Sequence, residues 1–580
     1  MSKNTYKGKT YEAAARAANA HAAAARLVKI CAAVLLVMLA GNILSAQERV
    51  YISTDKECYL AGEALWYSAH CIDGQSGNYS ELSNTAYLQF VNAEGVAATH
   101  KVALNGGKGC GRFMIPLNLP TGNYSIIAYT KKYGGDSQGE FNGKIISIFN
   151  TLVTTKANHT AAPQDTSKVS MNPSANGTNS SIAIETGEQK NGIIPVGIKN
   201  LGNEKMHLSV SIFHYDNLTR MIENAKPTSL LERKGDFDVV DEVDYAGEII
   251  TIKVKEKGSA DGGDCAGRYV YMSAMGNPDD VHIGQIKGDN TVSFHTGNIL
   301  GNKDLVFEVL SNSKGITNGA SSKDLETAYE IELVEPHYNH IAAYIPPLEI
   351  SGDMEKALLE RNRRMQISKR FDADTLFNPG KKRDNSFTGN TEPIIYNLDD
   401  YTRFANLEET LREYVKFVRV RNVDKRVELK VLWETQGRSL ALVDGVPVSD
   451  HSAILGLDQQ LVKQIAVYPK RYLLNHFIYD GVVNFITHRG DMGGMTLPKN
   501  VCMVNFEGAG IPMAYYGDKT AEEGKYPNFL STIYWNPILE IQGDSEFNFK
   551  CHLPQYQGKF KIVIEGRTDS GQGVFITKIL

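Results

Sequence analysis

Hydrophobic and polar residues alternate with a period of two over short runs through much of the chain, and Gly, Pro, Asn and Asp punctuate the runs. In Tyr87–Val91, residues Tyr87, Gln89 and Val91 face opposite to Leu88 and Phe90, the pattern of a half-buried strand. Val50–Ile52, Leu65–Ile72, Arg112–Ile115 and Tyr124–Thr130 read as strands too, with Asn118-Leu119-Pro120-Thr121-Gly122 as an intervening turn. Short strands at roughly ten-residue spacing predict a β-sandwich over residues 48–150. A second sandwich is predicted over 182–350, with His207–Phe213 and Tyr269–Met272 as its best strands. A third is predicted over 491–580 from Ile533–Pro537 and Lys561–Glu565.

The period changes in two places. Met354–Arg370, rich in Glu, Arg, Leu and Met, predicts a helix capped by Ser351-Gly352-Asp353, within a helix-and-linker stretch over 351–395. In 396–490, Asn406 with Glu409 three residues on predicts a helix start, and Leu407, Leu411, Tyr414, Val415 and Val418 share one helical face. Strands then follow at Ser439–Val443, Gln464–Tyr468 and Gly481–Thr487, with a helical segment near Leu457–Lys463. Asp444-Gly445 predicts a hairpin turn, because both residues tolerate the positive φ of a type I′ turn. Residues 151–181, rich in Ala, Asn, Thr and Ser, read as a linker. The fold class expected is multidomain and mainly β, with one small α/β domain.

Composition adds little to this picture and removes one class of partner. At 580 residues the chain is long enough for several domains. The net charge of -5 is small, and no basic stripe points to nucleic acid. Arg26 and Lys29 precede an apolar run from Ile30 to Leu44, and Leu44-Ser45-Ala46 supplies a small-residue exit before Gln47. This pattern predicts a secretory signal peptide over 1–46. The apolar run is shorter than the roughly 20 residues that span a bilayer. Exported cysteines meet an oxidising compartment, yet Cys58, Cys71, Cys110, Cys265, Cys502 and Cys551 form no C-x-x-C pair and no zinc spacing. They are expected as small buried side chains.

Two stretches carry a family resemblance. Tyr51-Ile52-Ser53-Thr54-Asp55-Lys56-Glu57-Cys58-Tyr59-Leu60-Ala61-Gly62-Glu63, with Gly122-Asn123-Tyr124 and Ala128-Tyr129-Thr130, resembles the second macroglobulin-type domain of alpha-2-macroglobulin relatives. Protease-trapping members use a Cys-x-x-Gln thioester, and no cysteine here is followed by that Gln. The resemblance therefore implies the module's fold without its covalent chemistry. Leu442-Val443-Asp444-Gly445-Val446-Pro447, then Leu457-Asp458 with Val462-Lys463-Gln464-Ile465-Ala466-Val467, then Gly481-Val482-Val483-Asn484-Phe485-Ile486-Thr487, resembles the plug domain of TonB-dependent outer-membrane receptors. Phe485 replaces an aliphatic residue, and Arg471–Asp480 lacks the usual Gly-rich approach. A receptor barrel needs several hundred residues, so residues 491–580 cannot supply one. The combination resembles envelope proteins of Gram-negative bacteria that join a macroglobulin-type domain to a plug-like domain without a barrel.

Candidate chemistry is sparse. Gly135-Asp136-Ser137-Gln138-Gly139 fits G-x-S-x-G, but a nucleophile elbow needs a following helix, and Phe141–Phe149 reads as a strand. Gly106–Gly111 lacks the Ser or Thr and the helix of a phosphate loop and reads as a hairpin. Arg489-Gly490-Asp491 reads as a turn, and His337 and His340 as loop histidines. No catalytic, metal or cofactor site is expected. The resemblance implies a docking surface on the plug-like domain, in the loops around Asp444-Gly445 and Arg471–Tyr479, including Tyr472. Lys463, Gln464, Asn484 and Thr487 would supply the polar exterior of a plug without a barrel. The expected partner is another envelope protein, an outer-membrane barrel among the candidates, in the periplasm or at the outer membrane. An envelope hydrolase and a surface adhesin are the alternatives. N-terminal sequencing of envelope material should find Gln47 first, and an intact chain from Met1 in the cytosol would overturn the export reading.

Overall fold

The computed structural model describes residues 48–580 except 75, 133–142, 153–180, 226–229, 234–242, 260–261, 277–279, 298, 335–340, 346, 349, 351, 353, 371–390, 424–425, 433, 436 and 514–527. The predicted signal peptide, Ser137, His337, His340 and most of both predicted linkers lie outside the described residues. No helix among those described is long and apolar enough to cross a membrane. The chain is multidomain and mainly β, as its alternating pattern predicts.

The strands of the first sandwich run from Glu48 to Phe149. One sheet pairs Glu48–Thr54 and Lys108–Met114 with the two edges of Ala64–Asp73. The other orders Cys58–Leu60, Gly143–Phe149, Gly122–Tyr129, Thr85–Asn92 and Gly95–Ala103. Alternate residues such as Leu65, Tyr67, Leu88, Phe90 and Ile126 meet between the sheets, which is what period two requires. The Gly106-Gly107 segment is a hairpin turn with both φ values positive (55° and 72°), as its sequence predicts.

The next two predicted sandwiches need correction. Residues 182–350 do not form one sandwich, and 491–580 do not form another. Ile193–Asn200 pairs with Glu546–His552, and Met206–Tyr215 pairs with both Thr532–Ile541 and Lys559–Thr568. The second sandwich is thus built from two segments more than 300 residues apart in sequence, around Val196, Leu208, Val210, Ile562 and Ile564. Inside it sits a third sandwich. Its sheets are Thr291–His295, Ile249–Glu256, Tyr329–Val334 and, facing these, Val281–Gln285, Tyr269–Ala274, Asn302–Leu310, Val501–Glu507. The strand Val501–Glu507, placed by sequence in the C-terminal module, closes this sheet by pairing with Asn302–Glu308. The physical reason is that a strand's alternation reports which face is buried but not which partner it finds.

The α/β unit is inserted into the third sandwich in turn. Its five-stranded sheet runs Ile394–Asn397, Val462–Leu474, Phe477–Thr487, Leu440–Val443, Val446–Pro447. Asn406 caps the helix Leu407–Glu413 by accepting from the Glu409 amide at 2.9 Å. That helix stops before Val415 and Val418, which still join Leu407 and Leu411 in the core. The segment predicted helical near Leu457–Lys463 is only a 3₁₀ turn at Gln459–Leu461, and the strand begins at Val462. Helix Met354–Arg370 forms over its predicted span.

Nesting has a consequence for fragments. Residues 491–580 expressed alone lack Ile193–Asn200 and Met206–Tyr215, so they should show no cooperative thermal transition, whereas a fragment of 48–150 should show one. An independently folded 491–580 fragment would overturn the paired-ends architecture.

Candidate functional site: the turn and hairpin of the α/β unit

Asp444 and Gly445 have φ of 48° and 81° and connect Leu442–Val443 to Val446–Pro447, the geometry of a type I′ turn. The turn does not offer Asp444 to a partner. Its side chain is 3 % exposed, and one carboxylate oxygen accepts from the Thr487 amide at 2.8 Å. The other accepts from Thr487 Oγ1 at 2.6 Å and the Met492 amide at 2.8 Å. The Gly445 amide donates to Asn484 Oδ1 at 3.1 Å. Residues of the first and last plug-like motifs therefore hold each other. Asn484 and Thr487, expected on a polar exterior, are buried in this contact; Lys463 is exposed and Gln464 half-buried. The Asp444 carbonyl accepts from the Gly276 amide at 2.7 Å, tying the turn to the third sandwich. A cavity of about 280 Å³ lies beside the turn, walled by Ile395, Ala466, Tyr468 and Ile486.

The segment expected as a docking loop, Arg471–Tyr479, is a two-stranded ribbon. Arg471↔Asp480, Tyr472↔Tyr479, Leu473↔Ile478 and Leu474↔Phe477 are paired around an Asn475-His476 turn, with Asn475 at φ 53°. Period two then divides its residues. Tyr472, Leu474, Phe477 and Tyr479 pack on Tyr271 and Ile283 of the third sandwich. The Tyr479 and Tyr271 hydroxyls are 2.7 Å apart, and Asn475 Nδ2 donates to the Ile283 carbonyl. Tyr472 and Tyr479 are thus internal contacts, which corrects their expected place on the surface. Leu473 and Ile478 are each 63 % exposed. Arg471 is 65 % exposed and pairs with Asp480 at 2.7 Å. Sequence reasoning missed Leu473 and Ile478, because Tyr472-Leu473-Leu474 and Phe477-Ile478-Tyr479 are apolar on both faces and no period-two signal marks the exposed side.

The macroglobulin-like motif builds a different centre. Asp55 Oδ1 accepts from Tyr59 Oη at 2.7 Å and the Trp66 amide at 3.0 Å. Lys56 Nζ lies 3.2 Å from Asp55 and 3.1 Å from Glu63. Burial works against the Lys56 ammonium, but Asp55 and Glu63 outweigh it and hold its pKa above the ordinary value. Glu63 is likewise opposed by burial, yet Lys56 keeps its pKa below the usual range. Thr532 and Ser531 of the second sandwich donate to Asp55 and Glu63, and Ser211 donates to the Asp55 carbonyl. A cavity of only about 50 Å³ remains here, and its innermost charges are spent on one another. Gly62, at φ 82°, closes the turn of the motif; a Cβ there would meet Leu117 at 2.6 Å.

The remaining motifs are structural where described. Gly490 turns at φ 66° between Arg489 and Asp491, which pair at 3.1 Å. Cys58, Cys71, Cys265 and Cys551 are buried. Among the described residues, no three His, Cys, Asp or Glu side chains are grouped to hold a metal.

Asp444→Ala removes three bonds to a buried carboxylate, so it should lower stability by about 3 kcal/mol. Chemical denaturation checks this, and a change below about 1 kcal/mol would show that the turn is held by other contacts.

No family model matches the sequence, and no curated protein matches it. Solved structures give a distant architectural likeness. Native Escherichia coli alpha-2-macroglobulin aligns over 92 % of this chain and 40 % of its own, at 8 % identity and a TM-score of 0.22. Salmonella alpha-2-macroglobulin reacted with methylamine aligns over 92 % and 39 %, at 8 % identity and 0.22. The Yersinia pseudotuberculosis adhesin InvE aligns over 49 % and 58 %, at 11 % identity and 0.12. The chain therefore spans about 40 % of the length of the macroglobulins it is similar to. What it has in common with them is a multidomain, mainly β architecture.

Proposed function

We propose that the chain is a non-catalytic binding or assembly component of the Gram-negative cell envelope, and that its α/β unit docks another envelope protein through the outer face of the Arg471–Tyr479 ribbon. The observation that carries this reading is the cross-strand pair Leu473↔Ile478, exposed at the tip of a ribbon whose other face is buried. Two large aliphatic side chains held side by side in water form a small apolar patch that a rigid backbone presents without further ordering cost. Lys470, Arg471 and His476 are exposed around it, and among the described residues only Arg471 of these has a carboxylate partner, Asp480.

That rim selects the occupant. Charge complementarity favours a partner surface with an apolar centre and a carboxylate border. Export, proposed from the Ile30–Leu44 run and its small-residue exit, places that partner in the periplasm or at the outer membrane. The α/β unit already has both sheet faces covered, by its own helices and by the third sandwich. This supports a plug-like domain that folds without a surrounding barrel and docks by its tip.

A photo-crosslinker at position 473 of the full-length protein in cells should give one discrete envelope adduct. Ile478→Asp should abolish that adduct, and raised ionic strength should weaken the interaction after purification. Thermal unfolding of Ile478→Asp should stay within a few degrees of wild type, because the side chain is exposed. An adduct unaffected by Ile478→Asp, or one formed only between copies of this chain, would overturn the reading.

A further inference from the structure

The seam between the third sandwich and the α/β unit is mostly apolar, and one carboxylate is closed into it. Glu308, on the strand Asn302–Leu310, is 4 % exposed. It accepts from Ser449 Oγ of the α/β unit at 2.8 Å. On its own sheet it stands opposite Tyr271 on one side and Val501 on the other, next to Asn500, whose side chain also bonds it. From the α/β unit it is faced by Arg438 and Tyr479. Arg438 attracts the carboxylate through space but is committed elsewhere. Its guanidinium donates to the Ser449 carbonyl at 2.6 Å and stands 3.1 Å from His451 Nε2. Arg426 is likewise engaged, by the Gly319 carbonyl at 3.3 Å. Among the described residues no ion pair neutralises Glu308.

An ionised carboxylate closed into such a seam with no cation in contact is costly, whereas a protonated one is a neutral hydrogen-bonding group. Opening the seam returns Glu308 to water and relieves the cost. We infer that Glu308 is a proton-controlled latch, which holds the α/β unit against the third sandwich when protonated and loosens that seam when ionised. This deepens the docking reading, because the face so covered includes Tyr472 and Tyr479, the inner side of the docking ribbon.

Burial lifts the Glu308 pKa to about 7 in the closed form, against an ordinary value of 4.5. The sign follows from linkage. A raised acid pKa gives the closed seam its full stability below about pH 4.5, and that stability is lost as pH rises through about 7. His451 acts in the opposite sense: burial first, then Arg438 and Lys430, push its pKa down, so acid opposes closure there. His282 is also held low, at about 4, by burial and His295; it lies between Val281 and Ile283, whose side chains take the seam face of that strand. The Glu308 contribution must therefore be read as a difference between wild type and a variant that cannot ionise.

Hydrogen exchange of the full chain between pH 5 and pH 8, corrected for the intrinsic rate, measures seam opening at residues 269–274 and 468–479. The opening constant of wild type relative to Glu308→Gln should rise on the order of fifty-fold across that range. Exchange in Met206–Tyr215, remote from the seam, should show no such ratio. Ser449→Ala, which removes a bond that favours the ionised form, should move the midpoint to higher pH and covers the case in which Glu308→Gln folds poorly. A flat or falling ratio, or an unmoved Ser449→Ala midpoint, would overturn the latch. No partner enters the measurement, so its failure and the failure of the docking reading are separate results.

Discussion

Asp55, Lys56 and Glu63 form a charge cluster at the junction of the first and second sandwiches, with Asp55 and Lys56 buried and Glu63 half-buried. Such a cluster contributes little net stability over an apolar replacement, but losing one member leaves the others unpaired at a cost of about 3–5 kcal/mol. Its value is in specifying position. Lys56 can be satisfied only where both carboxylates reach it, and Asp55 and Glu63 take their remaining donors from Thr532 and Ser531. The second sandwich must therefore present one particular edge to the first. Arg361 on helix Met354–Arg370 extends the same logic, pairing with Asp216 at 2.6 Å and reaching the Cys58 carbonyl. The helix thus straps both sandwiches.

That junction matters because of the nesting. The second sandwich is closed by strands from residues 182–215 and from residues 532–579, and everything between them is an insertion. An inserted domain leaves and re-enters its host at neighbouring points, so the host can fold around it if the two crossings are close. Here Tyr329–Val334 precedes the α/β unit and Val501–Glu507 follows it, and the Cys502 thiol donates to the Tyr329 carbonyl at 3.3 Å. The host in turn closes only when Met206–Tyr215 meets Thr532–Ile541 and Lys559–Thr568. Pairings so distant in sequence carry a large loop-closure entropy and form slowly. The inserted units, whose strands are nearer in sequence, offer the chain earlier places to gain order.

Local features of the fold were legible in the sequence, and long-range ones were not. The limits of Met354–Arg370, the Asn406 cap and the positive φ of Asp444 and Gly445 follow from residues adjacent in sequence. The first sandwich was legible because all its described strands fall in one run of about one hundred residues. The exchange of strand partners between the second and third sandwiches left no mark, since Lys561–Glu565 alternates alike whether its neighbour is local or remote. At the candidate site, sequence reasoning marked the turn and the hairpin segment but misassigned their side chains. Asp444 looked like a free turn residue, and only the fold shows Thr487 and Met492 at its carboxylate. Tyr472 and Tyr479 looked like a binding pair, whereas a ribbon seated on another sheet must turn every second residue inward.

The same alternation joins the two proposals made for this ribbon. Tyr472 and Tyr479 face the third sandwich, while Leu473 and Ile478 face solvent one residue away on the same backbone. A ribbon so short has no slack between its faces. Its twist and the position of its tip are set by whatever its inner side rests on. With the seam closed, that support is Tyr271 and Ile283, and the outer pair is held in one orientation. With the seam loosened, the inner side loses its template and the tip loses its orientation, although no residue at the tip has changed. Under the proposed reading, a proton at Glu308 would thus act on docking through the order of the ribbon, with no group in common between the latch and the docking surface.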